Sequence, residues 1–320
     1  MRSAVLDAEG LYRLLHRGVQ VHTTPSVFQI SGPGALSCLQ GLLTNDLEAP
    51  GENSLVYGAL LTPKGAIVVD YWVIRLAERF LLVAEPSAQA ASLDLFRRSL
   101  PPRLAKVEDL SGQLEALWLY GEKALSALER AGATRPEPGR VSAGDDLLVA
   151  QPSGRAPFRV LLLGSQESIA RINSRLKLAG IEPGDGTDRD AAGILAGWPE
   201  LGSEIQERTL VQEVRYDDIG GVSYTKGCYT GQETVARLHF RGHTNRELLG
   251  LVWSGEDRPE GTAVTDQSGR EAGTVSSLLS LPDRSVGLGL IRRGVELGSP
   301  VVAGGAAATV VGLPFEPAGW

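Results

Sequence analysis

The chain has 320 residues, 42% of them hydrophobic and 22% charged, with a net charge of −7 and two cysteines. That balance excludes a disordered chain, a disulfide framework and a general binder of nucleic acid or anionic membrane, which needs a dominant basic face. With no apolar run near ~20 residues and acidic residues early in MRSAVLDAEG, the expectation is a cytoplasmic protein of two or three domains without a membrane partner.

Residues 26–43 predict a strand, SVFQI, then a helix in which Ala35, Leu36, Leu39, Leu42 and Leu43 recur at helical spacing. Residues 55–84 predict an antiparallel meander, punctuated by Pro63 and Gly65 and reversed at Glu78-Arg79. Ser87 suits the cap of a helix to about Leu100, stopped by Pro101-Pro102. Within the meander Asp70 interrupts an apolar run, and strand alternation puts it on the face of Val68 and Trp72. A half-buried carboxylate there needs a hydrogen-bonding partner and suits the NH groups of a ligand ring. An outward-facing aspartate is the alternative.

The same grammar returns at LEALWLY (114–120), with Gly121 opening a helix through Arg130. The pattern Gly32-x-x-Ala35-Leu36-Ser37-x-Leu39 recurs as Gly121-x-x-Ala124-Leu125-Ser126-x-Leu128. It predicts two related α+β lobes, against the alternative of chance likeness between two helix starts. Strands at 146–151 and 158–164 and a helix from Ser165 to about Ala179 follow, and Pro183-Gly184-Asp185-Gly186 reads as a linker-like turn. Beyond Leu248, short β-prone runs without helices predict a small closed barrel. The expected fold is α+β, with a first lobe over 1–110, a second over 111–245 and a C-terminal β-barrel over 246–320.

Lys226-Gly227-Cys228-Tyr229-Thr230-Gly231-Gln232-Glu233 carries the strongest chemical signal. Thr230 and Glu233 fit a capping box, which would put Cys228 two residues ahead of a helix N-terminus. The helix dipole and Lys226 would then both favour the thiolate; a buried structural cysteine is the alternative. His239 and His243 have the spacing of two metal ligands, but Gly242 between them and the lack of a third ligand favour a solvated segment, and no metal site is expected. Arg237, His239, Arg241, His243 and Arg246 form a basic stripe suited to carboxylates or phosphates.

Taken together, these residues resemble the YgfZ-type folate-binding proteins, relatives of the glycine cleavage T-protein (aminomethyltransferase). KGCYTGQE at 226–233 is similar to the family signature without a departure; Gln212-Glu213, Ala196-Gly197-Trp198-Pro199, Leu43-Thr44-Asn45-Asp46 and Gly65 through Asp70 resemble flanking elements. The resemblance implies a ring-like three-domain arrangement that binds tetrahydrofolate or a derivative. It also implies a role in iron–sulfur cluster assembly or repair, with iron–sulfur enzymes (including those that modify transfer RNA) or assembly proteins as partners, while the net charge of −7 sets the expectation of no direct nucleic-acid binding. Cys228 and Lys226 are then the expected reactive pair, and Asp70, Tyr229, Gln232, Glu233, Glu213 and Arg246 the expected folate contacts, Arg246 and its stripe meeting the glutamate tail. Against the T-protein pattern, Leu195 replaces a folate-contacting glutamate, Val69 one of two aspartates, and Cys228 an acidic residue. Aminomethyl transfer is therefore the second expectation, and a thiol redox protein without folate the third, disfavoured because Cys38 is distant in sequence and reads as a helix core position, unless the fold brings the two cysteines together.

Overall fold

A computed structural model describes residues 1–144, 146–255 and 258–316; residues 145, 256–257 and 317–320 of the spans expected above lie outside the described residues. Three sheets organise the chain. The first has five antiparallel strands in the order Ser54–Leu61, Ile67–Arg75, Arg79–Ala84, Ser26–Ser31, Lys106–Asp109. The second has six, in the order Glu182–Gly184, Val19–Thr23, Glu115–Tyr120, Val160–Gly164, Leu147–Ala150, Val141–Ala143. In the third, the strands Arg246–Ser254, Ala263–Thr265, Glu271–Ser280, Arg284–Arg292, Pro300–Ala303 and Ala306–Val311 close into a six-stranded barrel, because Glu271–Ser280 also pairs with Arg284–Arg292. Closure removes free strand edges from a region too short to cover them with helices. Trp253, fully buried, fills the barrel and donates its indole N–H to the Ala303 carbonyl at 3.0 Å.

The repeated pattern marks the same joint twice. Gly32 (φ 121°) and Gly121 (φ 85°) each turn a strand into a short helix, Ala35–Gln40 and Ala124–Arg130. A Cβ on either would stand 2.7 Å from the Leu104 carbonyl or 2.8 Å from the Leu14 carbonyl, so both the angle and the space require glycine. The first helix is shorter than its apolar spacing predicts, ending at Gly41; Leu42 and Leu43 continue into a loop.

Two features depart from the expected pattern. Asp185 is not in a linker: its carboxylate and that of Asp188 form a reciprocal capping box, starting a helix over Gly186–Ala196. The N-terminal residues serve the other two sheets. Arg2–Val5 adds in parallel to Glu271–Ser280 of the barrel, and Val19–Thr23 pairs with Glu115–Tyr120. Arg2 thereby reaches the middle of the molecule. Among the described residues no helix is long and apolar enough to cross a membrane.

Candidate functional site

Asp70 lies on the strand Ile67–Arg75, whose alternate residues Val69, Tyr71 and Val73 pack into the lobe core at 0–1% exposure. Its own face, shared with Val68 and Trp72, is half-buried. The Tyr57 hydroxyl donates to Asp70 Oδ2 at 2.5 Å, and the Tyr216 hydroxyl sits 3.5 Å from the same oxygen and 3.1 Å from the Tyr57 hydroxyl. Burial raises the Asp70 pKa above its ordinary value; the Tyr57 hydroxyl opposes the shift and the charge of Glu200 reinforces it. Burial raises Tyr57 well above the usual phenol range, so its hydroxyl remains a donor.

This carboxylate opens into a cavity of about 370 Å³, a volume suited to a small organic ligand. The walls are aromatic. Trp72 and Trp198 stack with planes 15° apart and centroids 5.5 Å apart, and Phe158 stands edge-on to both Trp72 (4.8 Å) and Trp118 (4.7 Å). Polar groups that sequence reasoning missed complete the lining: Arg2, Glu85, Arg189 and Glu200. Arg2 Nη1 meets Glu200 Oε2 at 2.6 Å, and its Nη2 donates to the Trp198 carbonyl at 3.2 Å. Arg189, on the helix Gly186–Ala196, pairs with Glu85. Burial raises the Glu85 carboxyl, with Arg189 opposing. The capping signature of Asp185 and Asp188 was the one sequence signal that could have found Arg189.

The signature octapeptide is a separate locus tied to this cavity through one loop. Lys226 is 8% exposed, and its ammonium donates to the carbonyls of Leu43 (2.8 Å) and Asn45 (2.7 Å). The Asn45 side-chain amide donates to the Tyr57 carbonyl (2.8 Å) and the Gly220 carbonyl (2.7 Å). Thr44 Oγ1 donates to the Gly221 carbonyl at 2.6 Å. The loop Leu43-Thr44-Asn45-Asp46 thus joins the wall of the Asp70 cavity to the segment that carries Cys228.

One expectation about that segment needs correction. The helix Gln232–Arg241 is capped by Gly231 at φ 83°, without a side-chain cap, and the Thr230 amide donates to the Gly41 carbonyl at 3.1 Å. Thr230 and Glu233 therefore form no capping box, and Cys228 lies three residues before the cap. The Lys226 ammonium is committed to two carbonyls and sits 5.3 Å over the Tyr229 ring. These bonds tie it to the loop that holds Asn45. Burial lowers its pKa to about 8, which keeps it mostly protonated at neutral pH. Replacing Lys226 by methionine leaves two carbonyls without their donor and should cost about 1–3 kcal/mol in a urea unfolding experiment; an unchanged midpoint would mean that water serves those carbonyls as well.

Cys228 is exposed, and among the described residues its thiol makes no hydrogen bond. Cys38, on the helix Ala35–Gln40, is half-buried against the first lobe's core. Tyr229 is buried and among the described residues its hydroxyl has no hydrogen-bond partner, and Gln232 and Glu233 occupy the first turn of the helix. None of these lines the Asp70 cavity. Arg246 does not meet it either: its guanidinium forms a two-point pair with Glu213 at 2.8 and 3.2 Å. His239 stacks on Tyr224 at 3.6 Å and faces Asp217 at 3.5 Å. Leu195 lines a different cavity.

Residues 18–136 match the family model of the GCVT N-terminal domain. The chain is 27% identical over 261 residues to the tRNA-modifying protein YgfZ of Cronobacter sakazakii, an overlap of 79% of this chain and 78% of the relative. It is 26% identical over 306 residues to an aminomethyltransferase of Chloroherpeton thalassium, covering 90% and 81%. Its fold matches that of the glycine cleavage system aminomethyltransferase T from Bartonella henselae with a TM-score of 0.80 at 20% identity, over 96% of this chain and 89% of that one.

Proposed function

We propose that this YgfZ-type, GCVT-like protein holds a reduced folate in the Asp70 cavity and acts, through Cys228, as an accessory protein for iron–sulfur cluster assembly or repair. The observation that carries the reading is the Asp70–Tyr57 pair set in an aromatic cavity and joined by Asn45 to the Cys228 segment. The donor set fits a pterin. Such a ring offers NH groups to a carboxylate and a flat face to indoles, and Trp72, Trp198 and Phe158 supply the apolar wall. Bound there, a tetrahydrofolate would supply an amine able to take up a one-carbon unit. The protein's residues orient the ring: Asp70 accepts from its NH groups, Tyr57 fixes the Asp70 carboxylate, and the indoles exclude water.

Cys228 supplies what the cavity lacks, an exposed soft ligand and nucleophile suited to a metal, a cluster or a partner thiol. The tRNA-modifying label of the Cronobacter sakazakii relative fits a client among iron–sulfur enzymes that modify transfer RNA. Calorimetric titration with 5-formyltetrahydrofolate tests the folate half: saturable heat at micromolar to millimolar ligand is expected, and none at millimolar ligand refutes it.

Glu200 favours a second reading. It restores a further carboxylate to the cavity although Leu195 is apolar, so aminomethyl transfer is the rival. Turnover of an aminomethylated lipoyl carrier protein with tetrahydrofolate would establish it.

A further inference from the structure

We infer that Arg155, with Arg140 nearby, anchors the anionic tail of the ligand, making affinity depend on the carboxylates at the end remote from the ring. The inference rests on the reading that a folate ring occupies the Asp70 cavity. Among the described residues that cavity has no spare cation for such a tail. Asp70, Glu85 and Glu200 line it against Arg2 and Arg189, and both arginines are already paired, with Glu200 and Glu85. An anion attached to the ring has to leave.

Two larger cavities share walls with the first. One, of about 550 Å³, adjoins it across Tyr57 and Trp72. The other, of about 600 Å³, adjoins it across Tyr120, Pro157 and Phe158. Arg155 lines both, so it meets the tail by either route. Among the described residues its guanidinium has no ion pair or hydrogen bond, which leaves its planar fork available for a carboxylate. Arg140 lines the first of these neighbours, and among the described residues its guanidinium donates only to the Pro50 carbonyl, at 2.8 Å.

The carboxylate in that neighbour, Asp46, is occupied: its Oδ1 accepts from the Gln40 side chain and the Glu48 and Ala49 amides at 2.8, 2.8 and 3.2 Å. The molecule therefore offers an acidic, aromatic end and a basic end separated by Tyr57 and Trp72. A ligand with an NH-rich ring at one end and carboxylates at the other matches that polarity. Ser223 and Thr225, just ahead of Cys228, line the basic end, so a bound tail lies against the segment that carries the thiol. The Arg237–Arg246 stripe is not the anchor. Arg246 is held by Glu213 and borders another hollow, beside His239.

The test is calorimetry on the full chain with 5-formyltetrahydrofolate and with 6-methyltetrahydropterin, which has the reduced ring without the tail. Arg155→Ala should bind the folate about tenfold more weakly, and Arg140→Ala more weakly by a smaller factor. Both should bind the pterin as the parent does. Unchanged folate affinity in Arg155→Ala, or an equal loss for both ligands, overturns the tail inference while leaving the folate reading intact. Failure of the parent protein to bind either ligand overturns the folate reading, and the tail inference with it.

Discussion

Cys228→Ala should fold as the parent does and fail completely to restore iron–sulfur enzyme activity in cells that lack the native protein. The structural half of this expectation follows from exposure. The thiol makes no hydrogen bond among the described residues, and substitutions at such positions shift stability by about 0.5 kcal/mol or less. The functional half follows from chemistry. Alanine neither ligates a metal nor forms a mixed disulfide. Serine keeps the shape but not the soft nucleophile, so Cys228→Ser should fail too. Rescue scored beside urea unfolding separates the roles within one loop: Lys226→Met loses stability first, whereas Cys228→Ala loses function alone. Full rescue by the alanine variant refutes a thiol mechanism.

What the sequence revealed of the fold was what local pattern controls. Period-two apolar runs broken by glycine and proline marked the meander and the barrel, and Gly32 and Gly121 exposed the repeated joint because only glycine fits there. The face of Asp70 was readable from alternation alone. Its surroundings were not. Arg2 reaches Glu200 across 198 positions by adding a parallel strand to a barrel built from the other end of the chain. No local signal announces such a pairing.

The partners of Lys226 in the octapeptide were not legible for a related reason. Proximity in sequence put Lys226 beside Cys228, but a buried ammonium goes where carbonyls await it, and Leu43 and Asn45 supply them. Arg246 likewise left its basic stripe for Glu213. Charge runs report composition, whereas partners depend on which elements the fold brings alongside. The loop 43–46, noticed in sequence only as part of a resemblance, is the physical connection between the cavity and Cys228.

Asp70→Asn should make the protein more stable near neutral pH while weakening folate binding. Burial raises the Asp70 pKa above its ordinary 3.8, against the opposition of the Tyr57 hydroxyl. A carboxyl raised in the folded state contributes stability below its unfolded pKa and loses that contribution as pH rises through the folded value. At pH 7 the ionised group is therefore a burden that asparagine removes, while its amide oxygen still accepts from Tyr57. The melting temperatures of variant and parent should converge toward pH 4 and separate above it, with the variant higher. Binding moves the other way. Losing a charged acceptor for ring NH groups costs about 1.5–3 kcal/mol, or roughly ten- to a hundredfold in affinity. A residue whose only task was structural would not be improved structurally by its removal. Lower stability of Asp70→Asn at pH 7, with folate affinity intact, would make Asp70 a structural partner of Tyr57 and Tyr216 and move the ring site elsewhere.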